Sequence, residues 1–419
     1  MLDIKFIREN PDIVKQGAKN KGYDVDIDRL LELDKRRREI LQALEDMRAK
    51  KNKVSKEFPQ IRGEEEKNKI LLEMKELDAN SDRIWKTLKE IDQEFNDLML
   101  QVPNIPQEDV PVGKDDSENK VVEEIGEKTK FDFKFNDYLS LGENLDLIDI
   151  KRAAKVAGTR FGYLKGGAVL MEFALINLAF ENLIKEKFIP VLPPVLLKEG
   201  LARGTGYFES TDREEAYFIP EDKFYLVGTS EQSLLALHAG EILEEKDLPR
   251  RYVGFSTCFR REAGAYGKDT KGILRVHQFD KVEMVSFCKP EDSQKEHQIL
   301  LEMEKRLMKS LELPFRVVKI CTGDLGRPAA AKYDIEAWIP SENKYRETHS
   351  TSNCTDFQAR RLNIRYRSGD GLEFVHTLNG TAFAIGRMLI AIIENCQQKD
   401  GAIEVPKVLQ KYTGFKKIG

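Results

Sequence analysis

The chain has 419 residues, 68 Lys plus Arg against 72 Asp plus Glu, and a formal net charge of −4; at roughly 100–200 residues per domain this length implies two or three domains. With a third of the residues charged and a mean hydropathy of −0.49, the composition speaks against a membrane protein, and any nucleic-acid partner must be held by a local basic surface rather than by overall charge. The most apolar stretch, Ala168 to Phe180, is interrupted by Glu172 and Asn177 and is too short and polar to span a bilayer. MLDIKFIREN has no apolar secretory core, so a cytoplasmic protein is expected. The five cysteines lie tens of residues apart with no CxxC pair, a spacing of singly packed reduced thiols rather than of disulfides or a Cys-ligated zinc.

In chain order, the first feature is a heptad pattern. Leu30, Leu33, Arg37, Ile40, Leu44, Met47, Lys51, Val54 and Phe58 alternate spacings of three and four, as do Ile70, Met74, Leu77, Ser81, Ile84, Leu88, Ile91, Phe95, Leu98 and Val102. This 3.5-residue period predicts two coiled-coil helices. PQIRG, Pro59 to Gly63, breaks them into an antiparallel hairpin of two equal arms. Such a coil commonly serves as a spacer or dimerisation element. Basic clusters at Lys35, Arg36, Arg37 and Arg38, and at Arg48, Lys50, Lys51, Lys53 and Lys56, leave a solvated face and a phosphate-binding face equally open.

Pro103, Pro106, Pro111 and Gly113 then exclude regular helix and strand, dividing the chain into an arm (1–102), a linker (103–118) and a larger domain (119–419). That domain mixes a helix near Val169–Lys187, β-rich runs KFYLVG, RYVGFSTCFR and KVEMVSFC, a helix near Glu291–Leu311 and a terminal helix from about Ala384 to Gln397. Closely spaced strands favour an α+β domain around a largely antiparallel sheet over a doubly wound parallel one.

Neither GxxxxGK[ST] nor a strand-following GxGxxG occurs, so P-loop and dinucleotide Rossmann sites are not expected. Arginine is placed distinctively instead. Arg260 ends the strand-like run GFSTCFR, with Glu262 close behind, and Arg387 opens the last helix. A buried arginine requires an anion, either a structural carboxylate or a ligand.

The segment FRREAGAYGKDTKGILRVHQFDKVEM resembles motif 2 of the class II aminoacyl-tRNA synthetases, in the form found in the seryl-tRNA synthetase family. The resemblance extends along the chain. KEKFIPVLPPVLLKEGLARGTGYF resembles motif 1, the family's dimer interface, and VGTSEQSLLALHAGEI its serine-binding TxE loop. CTGDLG, DIEAWIP and YRETHSTSNCTDFQARR resemble the adjoining strands, and HTLNGTAFAIGRMLIAIIENCQ resembles motif 3. The N-terminal hairpin is the appendage with which the family grips the long variable arm of serine tRNA. The fold implied is a class II antiparallel-sheet catalytic domain behind a helical arm.

The resemblance also assigns roles. Arg260 and Arg387 are the expected catalytic residues. Arg260 contacts the α-phosphate and the serine carboxylate, Glu262 reads the adenine amino group, Phe279 stacks on the base, and Arg275 and Arg387 hold the outer phosphates. Arg261, Thr348 and His349 complete the expected ATP site. Serine recognition falls to Thr229, Ser230, Glu231, Arg260, Glu283, Asn379 and Thr381. Mg²⁺ is expected on Glu347 and Ser350, whose oxygens suit a hard cation. Arg36, Arg37, Arg38, Lys50, Lys51 and Lys53 are the expected tRNA contacts. The partners implied are ATP, L-serine, tRNA(Ser), tRNA(Sec) and a second copy of the chain, with no membrane. Two other readings use the same motifs: a silent RNA-binding paralogue, and an amino acid:carrier-protein ligase, whose known forms lack the hairpin.

Overall fold

The computed structural model describes residues 1–60, 62–208, 214–263, 269, 271–369 and 371–419. It contains two compact units, one of Leu2–Lys19 with Tyr23–Pro103, the other of Met1, Asn20–Gly22 and Asn104–Gly419.

In the first unit, α1 (Ile4–Glu9) and α2 (Pro11–Asn20) precede the long helices α3 (Ile27–Glu57) and α4 (Glu64–Gln101). The Asp26 carboxylate caps α3 by accepting from the Arg29 amide at 2.8 Å, satisfying a donor with no intrahelical partner. The first turn of α4 holds Glu64, Glu65 and Glu66, complementing the helix dipole. The heptad seam is present: Leu30, Leu33 and Leu44 are buried on α3, and Leu88, Ile91 and Phe95 on α4. The arms are unequal, at 31 and 38 residues. Ile61 of the hairpin break lies outside the described residues.

The second unit is built on an eight-stranded sheet of β1 (Lys120–Ile125), β2 (Ile189–Val191), β3 (Arg250–Phe259), β4 (Gln278–Cys288), β5 (Phe315–Lys319), β6 (Ala331–Ile339), β7 (Lys344–Asn353) and β8 (His376–Ala384). Their order is β1-β5-β6-β7-β8-β4-β3-β2, antiparallel throughout except for the β2–β3 pair. Helices α5 (Gly167–Lys185), α6 (Ser230–Ala236), α7 (Ser293–Ser310), α8 (Phe357–Leu362) and α9 (Ile385–Asn395) surround it. One apolar cluster joins α5, α7 and α9 to the inward residues of the central strands, among them Val282, Met284, Leu378 and Phe383. Strand alternation sends Phe279, Lys281 and Glu283 of β4 to the opposite face, where they border a cavity.

Helix α5 is long and apolar enough to cross a bilayer, but Met171, Ala174, Leu175 and Leu178 are buried in the sheet core, which makes it a core helix. The helix expected to be terminal is followed by α10 (Lys407–Thr413). Of residues 103–118, read from their prolines as a linker, those from Asn104 onward fall within this unit. Asn104 Nδ2 donates to the Pro328 and Cys354 carbonyls, both at 2.8 Å, and the Asn104 backbone N–H to the Arg327 carbonyl at 3.0 Å, so irregular backbone here is pinned rather than loose.

Candidate active site

A cavity of about 560 Å³ opens on the face of the central strands that carries Phe279, Lys281 and Glu283. Arg260, Glu262, Arg275, Phe279, Glu283, Thr229, Glu231, Asn379, Thr381, Glu347, Thr348, Ser350 and Arg387 all line it. Residues far apart in sequence thus meet because strands β4, β7 and β8, the segment joining β3 to β4, and the starts of α6 and α9 deliver them to one face.

Arg260 follows β3, where its amide donates to the His277 carbonyl at 2.9 Å. Its Nε donates to the Gly228 carbonyl at 3.2 Å, and its guanidinium lies 5.3 Å from the Phe279 ring centroid. One edge of the fork is thereby anchored while the rest is directed into the cavity. Glu262 takes the left-handed conformation, φ +52°, a strained geometry for a non-glycine residue. Its carboxylate lies 3.4 Å from Arg275 Nη1.

Two acids lie deeper. Glu283 is 2% exposed, accepts the Thr381 hydroxyl at 3.1 Å and has the Lys281 ammonium at 3.6 Å. Burial pushes its carboxyl above the ordinary range, with Lys281 and Thr381 opposing. Glu231 is also buried, and burial together with neighbouring Glu283 raises it to about 7. Thr229 caps α6 by accepting from the Glu231 amide at 3.3 Å. Between Asn379 and Thr381, Gly380 permits a close backing: a Cβ there would lie 3.0 Å from Glu304 Oε1.

At the other end of the cavity, Arg387 Nη1 donates to the Glu347 carbonyl at 2.9 Å and lies 3.2 Å from its carboxylate. Against the cost of desolvation, Arg387, Lys332 and Arg260 hold the Glu347 carboxyl down at about 2. Ser350 sits opposite Asp334 in the β6–β7 ladder. Asp334 Oδ1 is buried without a hydrogen-bond partner among the described residues.

Three expected site residues lie elsewhere. Ser230 is fully buried behind the cavity, its hydroxyl donating to the Gly254 carbonyl at 3.4 Å, since successive residues of a helix turn cannot share one direction. His349 is 1% exposed, hydrogen-bonded through Nδ1 to Thr348 Oγ1 at 2.9 Å and packed against Phe383. It faces the core because strand neighbours alternate; burial lowers its pKa to about 3, so it is neutral. Arg261 is exposed, and its amide donates to the Glu215 carbonyl at 2.8 Å. Most of the polar loop of motif 2, residues 264–268 and 270, lies outside the described residues.

The cavity also holds residues that the sequence reading left unassigned: Tyr207, Lys281, Asp324 and Lys332. Lys281 was within reach, since it shares the strand face of Phe279 and Glu283 in the run FDKVE. Tyr207 gives no comparable signal.

On the arm, Arg37 reaches Asp92 at 2.5 Å and lies 5.3 Å from the Phe95 centroid, and Lys51 reaches Asp78 at 2.5 Å. Arg38 donates to Asp34 at 3.0 Å. These three expected tRNA contacts have partners within the hairpin, Arg38 and Lys51 while themselves exposed; Arg36, Lys50 and Lys53 are exposed as well.

Residues 1–106 match the family described as the seryl-tRNA synthetase N-terminal domain, and residues 215–396 match the tRNA synthetase class II core domain (G, H, P, S and T). The chain is 46% identical to a serine–tRNA ligase of Thermobifida fusca, covering 99% of this chain and 98% of that protein. It is 44% identical to one of Thermodesulfovibrio yellowstonii, covering 99% of both. Among solved structures, the seryl-tRNA synthetase of Pyrococcus horikoshii complexed with ATP superposes with a TM-score of 0.93 at 40% identity, covering 100% of this chain and 99% of that one. The cytoplasmic serine–tRNA ligase of Naegleria fowleri in complex with AMP gives 0.88 at 34% identity, covering 100% and 98%.

Proposed function

The chain belongs to the seryl-tRNA synthetase family, and from that membership we propose that it joins L-serine to tRNA(Ser) in two steps within the cavity described above. In the first, the serine carboxylate oxygen attacks the α-phosphorus of ATP; the new O–P bond forms as the P–O bond to the departing pyrophosphate breaks. In the second, a ribose hydroxyl of the terminal adenosine attacks the acyl carbonyl, and AMP leaves. Neither step needs a covalent enzyme nucleophile, so the protein's task is positioning and charge stabilisation.

The observation that carries this reading is the meeting of Arg260 with two buried carboxylates, Glu231 and Glu283, in one cavity. An amino acid is a zwitterion. Arg260 suits its carboxylate, the acids suit its ammonium, and the Glu283–Thr381 pair suits a small hydroxyl. A cavity that hydrogen-bonds a hydroxyl rejects alanine by about 10⁴–10⁵, because its own buried polar groups would be left unpaired. Phe279 supplies a face for adenine, Glu262 an acceptor for its amino group, and Arg275 and Arg387 charge for the outer phosphates.

Glu347 and Ser350 would hold Mg²⁺. The fit is chemical: both offer oxygen, and the Asp334 carboxyl lies across the ladder from Ser350, while Mg²⁺ keeps waters and substrate phosphates as its other ligands. When bound, the ion would neutralise phosphate charge. Among the described residues no group of three His, Cys, Asp or Glu is placed to hold a metal ion.

A homodimer is supported by the outer face of α5 and the sheet edge beside it. Leu170, Phe173, Ile184, Ile189 and Leu192 are 43–79% exposed there, a grouping of large apolar side chains that marks an interaction surface. The arm would grip tRNA(Ser), and tRNA(Sec) where it occurs, in the cytoplasm. Serine-dependent exchange of labelled pyrophosphate into ATP, with threonine and alanine as controls, tests the first step; no exchange by folded protein would overturn the reading.

A further inference from the structure

Glu231 is more elaborately held than a simple counter-charge requires. The Tyr207 hydroxyl lies 3.1 and 3.2 Å from its two carboxyl oxygens, and Gln358 Nε2 donates to Oε1 at 2.9 Å. The orientation of the Gln358 amide is fixed from both sides: Nε2 also donates to the Thr205 carbonyl at 3.0 Å, and Oε1 accepts the Thr377 hydroxyl at 2.7 Å. A flipped amide would set oxygen against oxygen at Glu231 and Thr205. Gln358 is 0% exposed, so water cannot substitute for it. Tyr207 is aimed by the preceding turn, where Gly206 has φ +89° and a Cβ would lie 3.1 Å from the Phe357 ring, a combination that only glycine meets without strain.

Resting on the serine-activating function proposed above, we propose that Tyr207 and Gln358 form a hydrogen-bond clamp that keeps Glu231 an oriented carboxylate for the ammonium group of the substrate. They are positioning residues, acting through Glu231. The clamp has a task to perform. Burial and the Glu283 carboxylate raise Glu231 to about 7, while Gln358, Lys281 and Tyr207 pull it down. The groups facing it are Glu283 and Lys281 from β4, Tyr207 from the turn after the helix Glu199–Gly204, Gln358 from α8 and the Cys354 thiol just ahead of α8. A carboxyl balanced this close to neutrality loses its charge when one donor is removed, and a neutral acid holds an ammonium poorly.

The test is pyrophosphate exchange by the full-length protein, measured against serine and ATP between pH 6.5 and 8.5. In Y207F the serine KM at pH 7 is expected to rise about tenfold, the range of a hydrogen bond to a charged group, with kcat and the ATP KM nearly unchanged. The acidic limb of kcat/KM for serine moves to higher pH, so most of the defect disappears at pH 8.5. Glycerate, which carries a hydroxyl in place of the ammonium, should inhibit Y207F at least as well as the unaltered protein. Q358M is expected to behave alike; should it fail to fold, Y207F carries the test alone. Wild-type kinetics in Y207F, or a loss equal at every pH and shared by the ATP KM, would overturn the clamp. Absence of serine-dependent exchange in the unaltered protein would instead overturn the functional reading beneath it.

Discussion

The Thr381 hydroxyl donates to Glu283 Oε2 across 3.1 Å, from the position directly opposite in the β4–β8 ladder. Both residues are nearly inaccessible, at 5% and 2%, so the pair is a prepared polar surface in a dry setting. Removing the hydroxyl while keeping the shape leaves a buried acid under-satisfied. T381V is therefore expected to lower kcat/KM for serine by about 10- to 100-fold and to narrow the gap between serine and alanine, whereas T381S keeps most of both. Exchange rates with the two amino acids check this; unchanged discrimination in T381V would remove Thr381 from serine recognition.

Arg260 is held by one edge, through Nε to the Gly228 carbonyl at 3.2 Å, and stacked on Phe279. A lysine keeps the charge but supplies neither the anchoring Nε nor a planar fork. R260K is expected to lose about 10²- to 10³-fold in kcat, the scale for deleting one donor aimed at developing charge, with a smaller rise in the ATP KM. Single-turnover formation of the adenylate measures it directly.

Much of this architecture is legible in the sequence because periodicity carries it. The 3.5-residue repeat located α3 and α4, and the β-rich runs around Val253 and Val285 located β3 and β4. What was not legible depended on which way a side chain points. Ser230 and His349 sit inside motifs that do line the cavity, but helix and strand geometry turns them to the far side. Thr348, beside a register shift between Ile335 and Glu336, lines the cavity together with Glu347 and Ser350. Prolines at 103, 106 and 111 do mark irregular backbone, yet irregular is not unattached, as Asn104 shows by bridging Pro328 and Cys354. Tyr207 acquires meaning only through Gln358, some 150 residues later in the chain.

Glu304 offers a test of the sheet's underside. It is 0% exposed on α7 beneath Gly380, neither carboxyl oxygen has a hydrogen-bond partner among the described residues, and burial pushes its carboxyl well above the ordinary range. The folded protein thus binds a proton that the unfolded chain releases near pH 4.5, so stability is present below that pH and falls as pH rises toward the folded value. E304Q does not titrate. Its urea midpoint relative to the unaltered protein should climb steadily from pH 5 to pH 8; a difference independent of pH would show that Glu304 is not protonated in the fold.

The hairpin's basic residues divide into two kinds, and the division makes opposite predictions. Arg37 and Lys51 occupy seam positions and reach Asp92 and Asp78 on the facing helix, so R37A and K51A should act on the coil itself. Exposed pairs of this kind contribute little, within about 1 kcal/mol, so a slight loss of helix on heating is expected with serine activation untouched. Arg36, Lys50 and Lys53 are exposed, and if they meet phosphates of the tRNA arm their removal should weaken tRNA binding without changing the melting of the protein. Each lost phosphate contact also flattens the dependence of log Kd on log salt by about one unit. Titrating tRNA(Ser) at several salt concentrations separates the two kinds: a flattened slope in K53A but not in K51A supports the division. Equal slopes in all variants would mean that the arm is recognised through the shape of the RNA rather than through these charges.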